Sequence, residues 1–186
     1  MRDKVTPQRM ELHSKDPSKI DFGRLRNHYN YQAEVTPKLD AYRGDFDQQT
    51  INEIVHWKVD RYAGLSEQTI GSINNIDPES TTLDRDLTRV VLRKLLETSG
   101  VRLPMASTIL RFRNPRVYQI IDQRVYRVVY GAELRLSTLV EKNIDQYLAY
   151  LEALAALCAR CEIPYSESDR ILYEFDKEYA RKNIRT

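Results

Sequence analysis

Six glycines, two cysteines and one tryptophan in 186 residues are low counts, and each shortage closes off a class of protein. Sparse glycine and almost no apolar–polar alternation argue against β-hairpin folds, whereas apolar residues recur at helical spacing, so an all-α fold is expected. Cys158 and Cys161 have neither a second pair nor a nearby histidine, which argues against a disulfide framework or a zinc site and for reduced thiols in a helix. No run of about 18 apolar residues is available to span a bilayer. The N-terminal MRDKVTPQRMELHSKDPSK also lacks the apolar centre of a secretory signal, so a cytoplasmic setting with no membrane partner is expected. Internal repeats and low-complexity tracts are absent as well.

What the chain does contain is 41% hydrophobic and 30% charged residues, enough for one domain with a proper core. Residues 1–20, polar with two prolines, read as a loose arm, and residues 21–186 as a single helical domain, expected to be monomeric. The net charge of +2 is unevenly spread. Residues 1–84 carry 11 basic and 14 acidic side chains, residues 85–135 carry 11 and 4, and residues 136–186 carry 7 and 9. A basic block between acidic ones suggests a local polyanion site, although a solvated helix surface would read the same way. All its basic residues but Lys94 are arginines, suited to bidentate phosphate contacts.

Helix signals run along the chain, and six to eight helices are expected. DFGRLRNHYNYQAEV reads as a short helix and an extended piece ending at Pro37. TINEIVHWKVDRYAG follows Asp45 or Asp47 as a helix with Ile51, Ile54, Val55 and Val59 on one face and Gly64 as its stop. Ser66 caps EQTIGSINNI. In DPESTTLDRDLTRVVLRKLLETSG, Leu83, Leu87, Val90, Val91, Leu95 and Leu96 form the core face, with Gly100 as terminator. Pro104 fits the first turn of PMASTILRF, NPRVY turns the chain, and Asp122 opens IIDQRVYRVVYG. Two helices, DQYLAYLEALAALCARCE and SESDRILYEFDKEYARK, complete the chain, with Tyr147, Tyr150 and Tyr173 as packing residues.

The centre of the chain carries the chemistry. A glycine turn between two helices, spanning about residues 86–113, exposes backbone N–H groups beside a positive helix end, which can seat a phosphate. Any helical hairpin can use glycine as a stop, so this feature alone is weak. Asp122 likewise reads first as an N-cap.

GVRLPMASTIL followed by a loop and IIDQRVYRV resembles the helix-hairpin-helix DNA glycosylase superfamily that includes endonuclease III and the adenine glycosylase of mismatch repair. That family has a hairpin of the form LPGVGxxTA with a catalytic aspartate 22 residues after its first glycine, the separation between Gly100 and Asp122 here. Ile120 and Ile121 before the acid, and Val125, Arg127 and Val128 after it, match the family's style. The likeness covers about 35 residues. It implies that Asp122 is catalytic, stabilising an oxocarbenium-like sugar, and that double-stranded DNA is the partner. DNA contacts are then expected from Ser99, Gly100, Val101, Arg102, Leu103 and Met105 of the hairpin, and from Arg124 beside the acid.

The chain departs from the family at three points. Pro104 stands where bifunctional members place a lysine nucleophile, and a proline forms no Schiff base, which implies a monofunctional enzyme. Arg102 and Leu103 replace the usual glycine-containing turn. Two cysteines cannot ligate the family's iron–sulfur cluster, so no cofactor or metal is expected. Base-flipping enzymes need a pocket and a wedge, and the family's use of an early helix and its following loop points to His56, Trp57 and Lys58, with Tyr29 and Tyr31 folding over the same cleft. A buried core role for Trp57 is equally open. The reading implied is a monofunctional glycosylase removing a damaged, mismatched or modified base, in genome repair or against modified phage DNA. The alternatives are a non-catalytic helix-hairpin-helix module that only grips DNA, and an all-α interaction protein whose basic block meets an acidic partner.

Overall fold

The computed structural model describes residues 20–59 and 64–179. The expected N-terminal arm, the side chain of Val59, and the parts of the expected helices that fall on residues 60–63 and beyond residue 179 lie outside the described residues. Among the described residues there are nine α-helices and no strand, in keeping with the all-α expectation. The helices are α1 (Phe22–His28), α2 (Thr36–Ala41), α3 (Gln48–Val59), α4 (Glu67–Asn74), α5 (Arg85–Glu97), α6 (Leu103–Arg113), α7 (Gln123–Tyr130), α8 (Val140–Cys161) and α9 (Ser168–Tyr179). No helix among them is long and apolar enough to cross a membrane.

Side-chain caps set several helix starts. The Arg24, Thr50 and Leu87 amides donate to Asp21 (2.8 Å), Asp47 (2.8 Å) and Asp84 (2.9 Å) respectively, and Ser66 accepts from the Thr69 amide. Each cap satisfies an amide that has no partner within its helix. α2 is the helix missing from the expected six to eight. Residues 31–35 form a turn rather than an extended piece, and Pro37 sits in the first turn of α2, where a missing N–H does no harm. α5 begins at Arg85, leaving Leu83 in front of it. Its inward stripe runs through Thr88, Val91, Leu92 and Leu95, so Val90 is exposed rather than core and Leu92 is core instead.

α6 lies at the centre. Every residue from Leu103 to Arg113 except Pro104 is buried, and α3, α4 and α5 pack against it. α8 covers α5 and α7, while α9 packs on both α7 and α1. The first and last helices therefore meet beside the start of α7, where Asp122 sits.

Candidate active site

Between α6 and α7 the chain runs through a short extended segment whose backbone groups are claimed from two sides. Tyr147 and Tyr150 on α8 donate their hydroxyls to the carbonyls of Gln119 (2.9 Å) and Ile120 (2.8 Å). Burial pushes both phenols well above their ordinary pKa, so they stay protonated donors. The Ile121 amide donates to Ser107 Oγ on α6 (3.1 Å), and that hydroxyl donates on to the Pro104 carbonyl (2.9 Å). Asp122 follows as the N-cap of α7: its Oδ1 accepts from the amides of Arg124 (2.8 Å) and Val125 (2.9 Å). Its Oδ2 accepts no hydrogen bond among the described residues. One oxygen holds the helix while the other remains available, so the capping role leaves a catalytic one open.

Asp122 and Ile120 line a cavity of about 170 Å³. The same cavity is lined by Tyr29 and Tyr31 from the segment after α1, and by Trp57 and Lys58 from the end of α3. Four of the five side chains expected at a base pocket thus meet the expected acid. His56 does not line the cavity; its side chain is exposed. Trp57 is largely core, with Nε1 donating to Thr36 Oγ1 (2.7 Å) and its ring edge-on to Tyr31 (5.1 Å) and Phe112 (5.0 Å). It is a fixed wall rather than a free stacking plate. Tyr31 is tied to that wall by its hydroxyl, which donates to the Trp57 carbonyl (2.8 Å).

The far wall comes from α9, which sequence reasoning did not connect with the site. Tyr173, expected as packing, lines the cavity half-buried and meets Tyr29 edge-on at 6.3 Å. Asp169 lines it too. In the sequence Asp169 is indistinguishable from any acid in a helix's first turn, where acids are common for local reasons. Behind this wall lies an ionic cluster: buried Arg111 and half-buried Arg170 both donate to the Asp40 carboxylate, and Arg111 Nε lies 3.5 Å from Asp169 Oδ2. Burial works against the Asp40 charge, but the two guanidinium groups outweigh it and hold its carboxyl below the usual carboxylate range. Burial, and then the charge of Asp169, push the Tyr29 phenol upward, which leaves it a proton donor.

The turn joining α5 to α6 has the conformation that glycine favours, with Gly100 at φ +82°. The Val101 amide turns inward to the Thr98 carbonyl (3.1 Å), while those of Ser99, Gly100, Arg102 and Leu103 make no hydrogen bond among the described residues. Ser99, Gly100 and Arg102 are exposed. Val101, Leu103 and Met105, expected as DNA contacts, are buried as whole residues in the core, which leaves Ser99, Gly100 and Arg102 as the part of the hairpin open to a ligand. Arg124 is not free: it donates to buried Asp176 (3.1 Å) and lies over the Tyr173 ring.

The basic block, too, is mostly engaged internally. Arg85, Arg89, Arg93 and Arg116 pair with Glu152, Asp145, Glu141 and Glu79 at the surface. Arg111 and Arg113 are buried within α6, paired with Asp40 and Asp45, and Arg124 and Arg127 share Asp176. All these carboxylates come from the flanking acidic segments, so the charge asymmetry of the sequence is largely cancelled by folding. Arg102, at the hairpin, is the basic residue of the block with no partner among the described residues. No metal-binding cluster of histidine, cysteine or carboxylate side chains occurs among the described residues.

No protein-family model matches the chain, and no curated protein or solved structure matches it significantly.

Proposed function

We propose that the chain is a monofunctional DNA glycosylase that hydrolyses the N-glycosidic bond of a damaged, mismatched or modified base flipped out of duplex DNA. The observation that carries this reading is the convergence of Asp122, with an uncommitted oxygen, on one cavity with Tyr29, Tyr31, Trp57 and Lys58. A flipped base needs an aromatic-walled pocket, and the sugar at its mouth needs a negative charge. As the C1′–N bond breaks, its electron pair leaves on the base and positive charge develops at C1′. A fixed carboxylate stabilises that charge more in the transition state than in the ground state. Water then adds to C1′, and its proton is delivered through solvent to the departing base. The exposed hairpin amides and Arg102 supply a backbone grip that is indifferent to sequence. A monofunctional product is supported by Pro104 at the position of the family's lysine.

The test is a panel of duplexes bearing different modified bases, assayed with and without alkali. Strand breaks that need alkali are expected for wild type. Asp122→Asn is expected to lose on the order of 100-fold or more in base release, the scale of one preorganised electrostatic contact. Its DNA affinity should be equal or tighter, because a negative charge has left the backbone's vicinity. Excision by the variant at the wild-type rate would sink the assignment. Binding with no base release on any duplex would favour the non-catalytic module.

One observation favours a second reading. Lys58 brings an amine to the cavity, and an amine that attacks C1′ of the nascent abasic site would form a Schiff base and cleave the strand. The same panel decides: breaks without alkali, and a borohydride-trapped complex lost in Lys58→Ala, would replace the monofunctional reading with a bifunctional one.

A further inference from the structure

Among the described residues, the one carboxylate lining the cavity apart from Asp122 is Asp169, on α9 and only 5% exposed. Its Oδ1 is fixed by the Arg170 amide (2.9 Å). Its Oδ2 lies 3.5 Å from the Nε of buried Arg111, an ion pair that does not reach hydrogen-bonding geometry, and Arg111 Nε has no hydrogen-bond partner. Asp169 Oδ2 is thus held in place by charge yet keeps its acceptor capacity. The Tyr29 hydroxyl, on the same cavity, has no hydrogen-bond partner among the described residues either. It is a donor that retains its proton, since burial and the neighbouring Asp169 charge oppose its ionisation. An acceptor-only group and a donor therefore line the same cavity.

Resting on the excision reading of Asp122, we propose that Asp169 and Tyr29 select the extruded base. Asp169 accepts from an exocyclic amino group and Tyr29 donates to the neighbouring ring nitrogen, so amino-bearing bases are taken in preference to their oxo counterparts. An adenine- or cytosine-type edge offers an N–H beside a bare ring nitrogen and satisfies both groups. The corresponding oxo base, hypoxanthine or uracil, offers a carbonyl to the carboxylate and an N–H to the hydroxyl. In that register the carboxylate faces a carbonyl with no donor, whereas the Tyr29 hydroxyl can turn to accept the N–H. The discrimination rests on Asp169, because an unpaired buried polar group is what makes such a site discriminate.

The experiment measures excision from duplexes carrying matched amino and oxo bases, adenine against hypoxanthine and cytosine against uracil, plain and alkylated. Wild type is expected to favour the amino member of each released pair by about tenfold or more. Asp169→Asn replaces a pure acceptor with a group that can donate to a carbonyl, and its amino-to-oxo ratio should fall by about tenfold or more. Affinity for a duplex holding a ready-made abasic site, where no base occupies the cavity, should not change, a result that a merely structural role would not produce. If Asp169→Asn loses abasic-duplex binding through misfolding, Asp169→Ser is read instead: its hydroxyl can donate to a carbonyl as well as accept from an amino group, and its ratio should also fall. Equal excision of both members by wild type, or a ratio unmoved in the folded variant, overturns the selection role while leaving excision intact. A wild type that releases no base of either kind overturns the excision reading and the selection role together.

Discussion

At Gly100 two opposing effects can be compared. Replacing glycine by alanine stabilises by about 0.4–1 kcal/mol through the unfolded chain, while a left-handed backbone costs an L-residue about 1–2 kcal/mol. The added Cβ would meet nothing within 4 Å, so strain alone decides at φ +82°. Gly100→Ala should lower stability slightly and Gly100→Val more, since β-branching tightens the restriction. Denaturant melts give that order. On the proposed function, the valine variant also moves the free amides of the turn and should weaken binding to unrelated duplexes alike. Unchanged affinity would remove the hairpin from the interface. Asp122 makes a related point at the same scale: the cap was legible from its place before a helical pattern, but which of its oxygens is spent was not.

At the scale of elements, α7 owes its position to α9. Asp176, 1% exposed, accepts from Arg127 at 2.6 to 2.9 Å and from Arg124 at 3.1 Å. Breaking a buried pair costs about 3–5 kcal/mol, and because both arginines remain a quarter exposed the loss here should fall at or below the lower end of that range. Asp176→Asn should therefore destabilise the protein by up to about 3 kcal/mol in denaturant melts. It should also free Arg124 from its carboxylate. A variant as stable as wild type would show that apolar packing alone docks α7 on α9. Nothing in SESDRILYEFDKEYARK announced this role, because an acid at helical spacing from apolar residues reads as solvated until its arginine partners are placed. α5 shows a related limit: six apolar residues fitted one face by count, yet geometry turned Val90 outward and Leu92 inward.

For the whole molecule, the Asp40 cluster ties α2, α6 and α9 behind the cavity. Its carboxyl titrates below the usual range in the fold and near pH 4 when unfolded. A depressed folded-state value contributes stability that is fully present above about pH 4 and is lost as pH falls and the carboxylate protonates. The acid limb of a stability-against-pH curve should accordingly be shallower for Asp40→Asn than for wild type. Parallel limbs would mean that the two arginines find other partners.

The sequence by itself determined that the chain is helical, where most helices begin, and that Gly100 and Asp122 stand on either side of α6 at a fixed separation. These are local properties, written in spacing, caps and turn residues within a few positions of one another. Only the tertiary structure decided that Tyr29, Tyr31 and Lys58 face Asp122, that α9 closes the cavity with Asp169 and Tyr173, and that most arginines of the basic block are paired inside the fold. Those outcomes depend on which distant side chains meet when helices pack, and a charge or an aromatic ring has no meaning for a site until its neighbour across the chain is known.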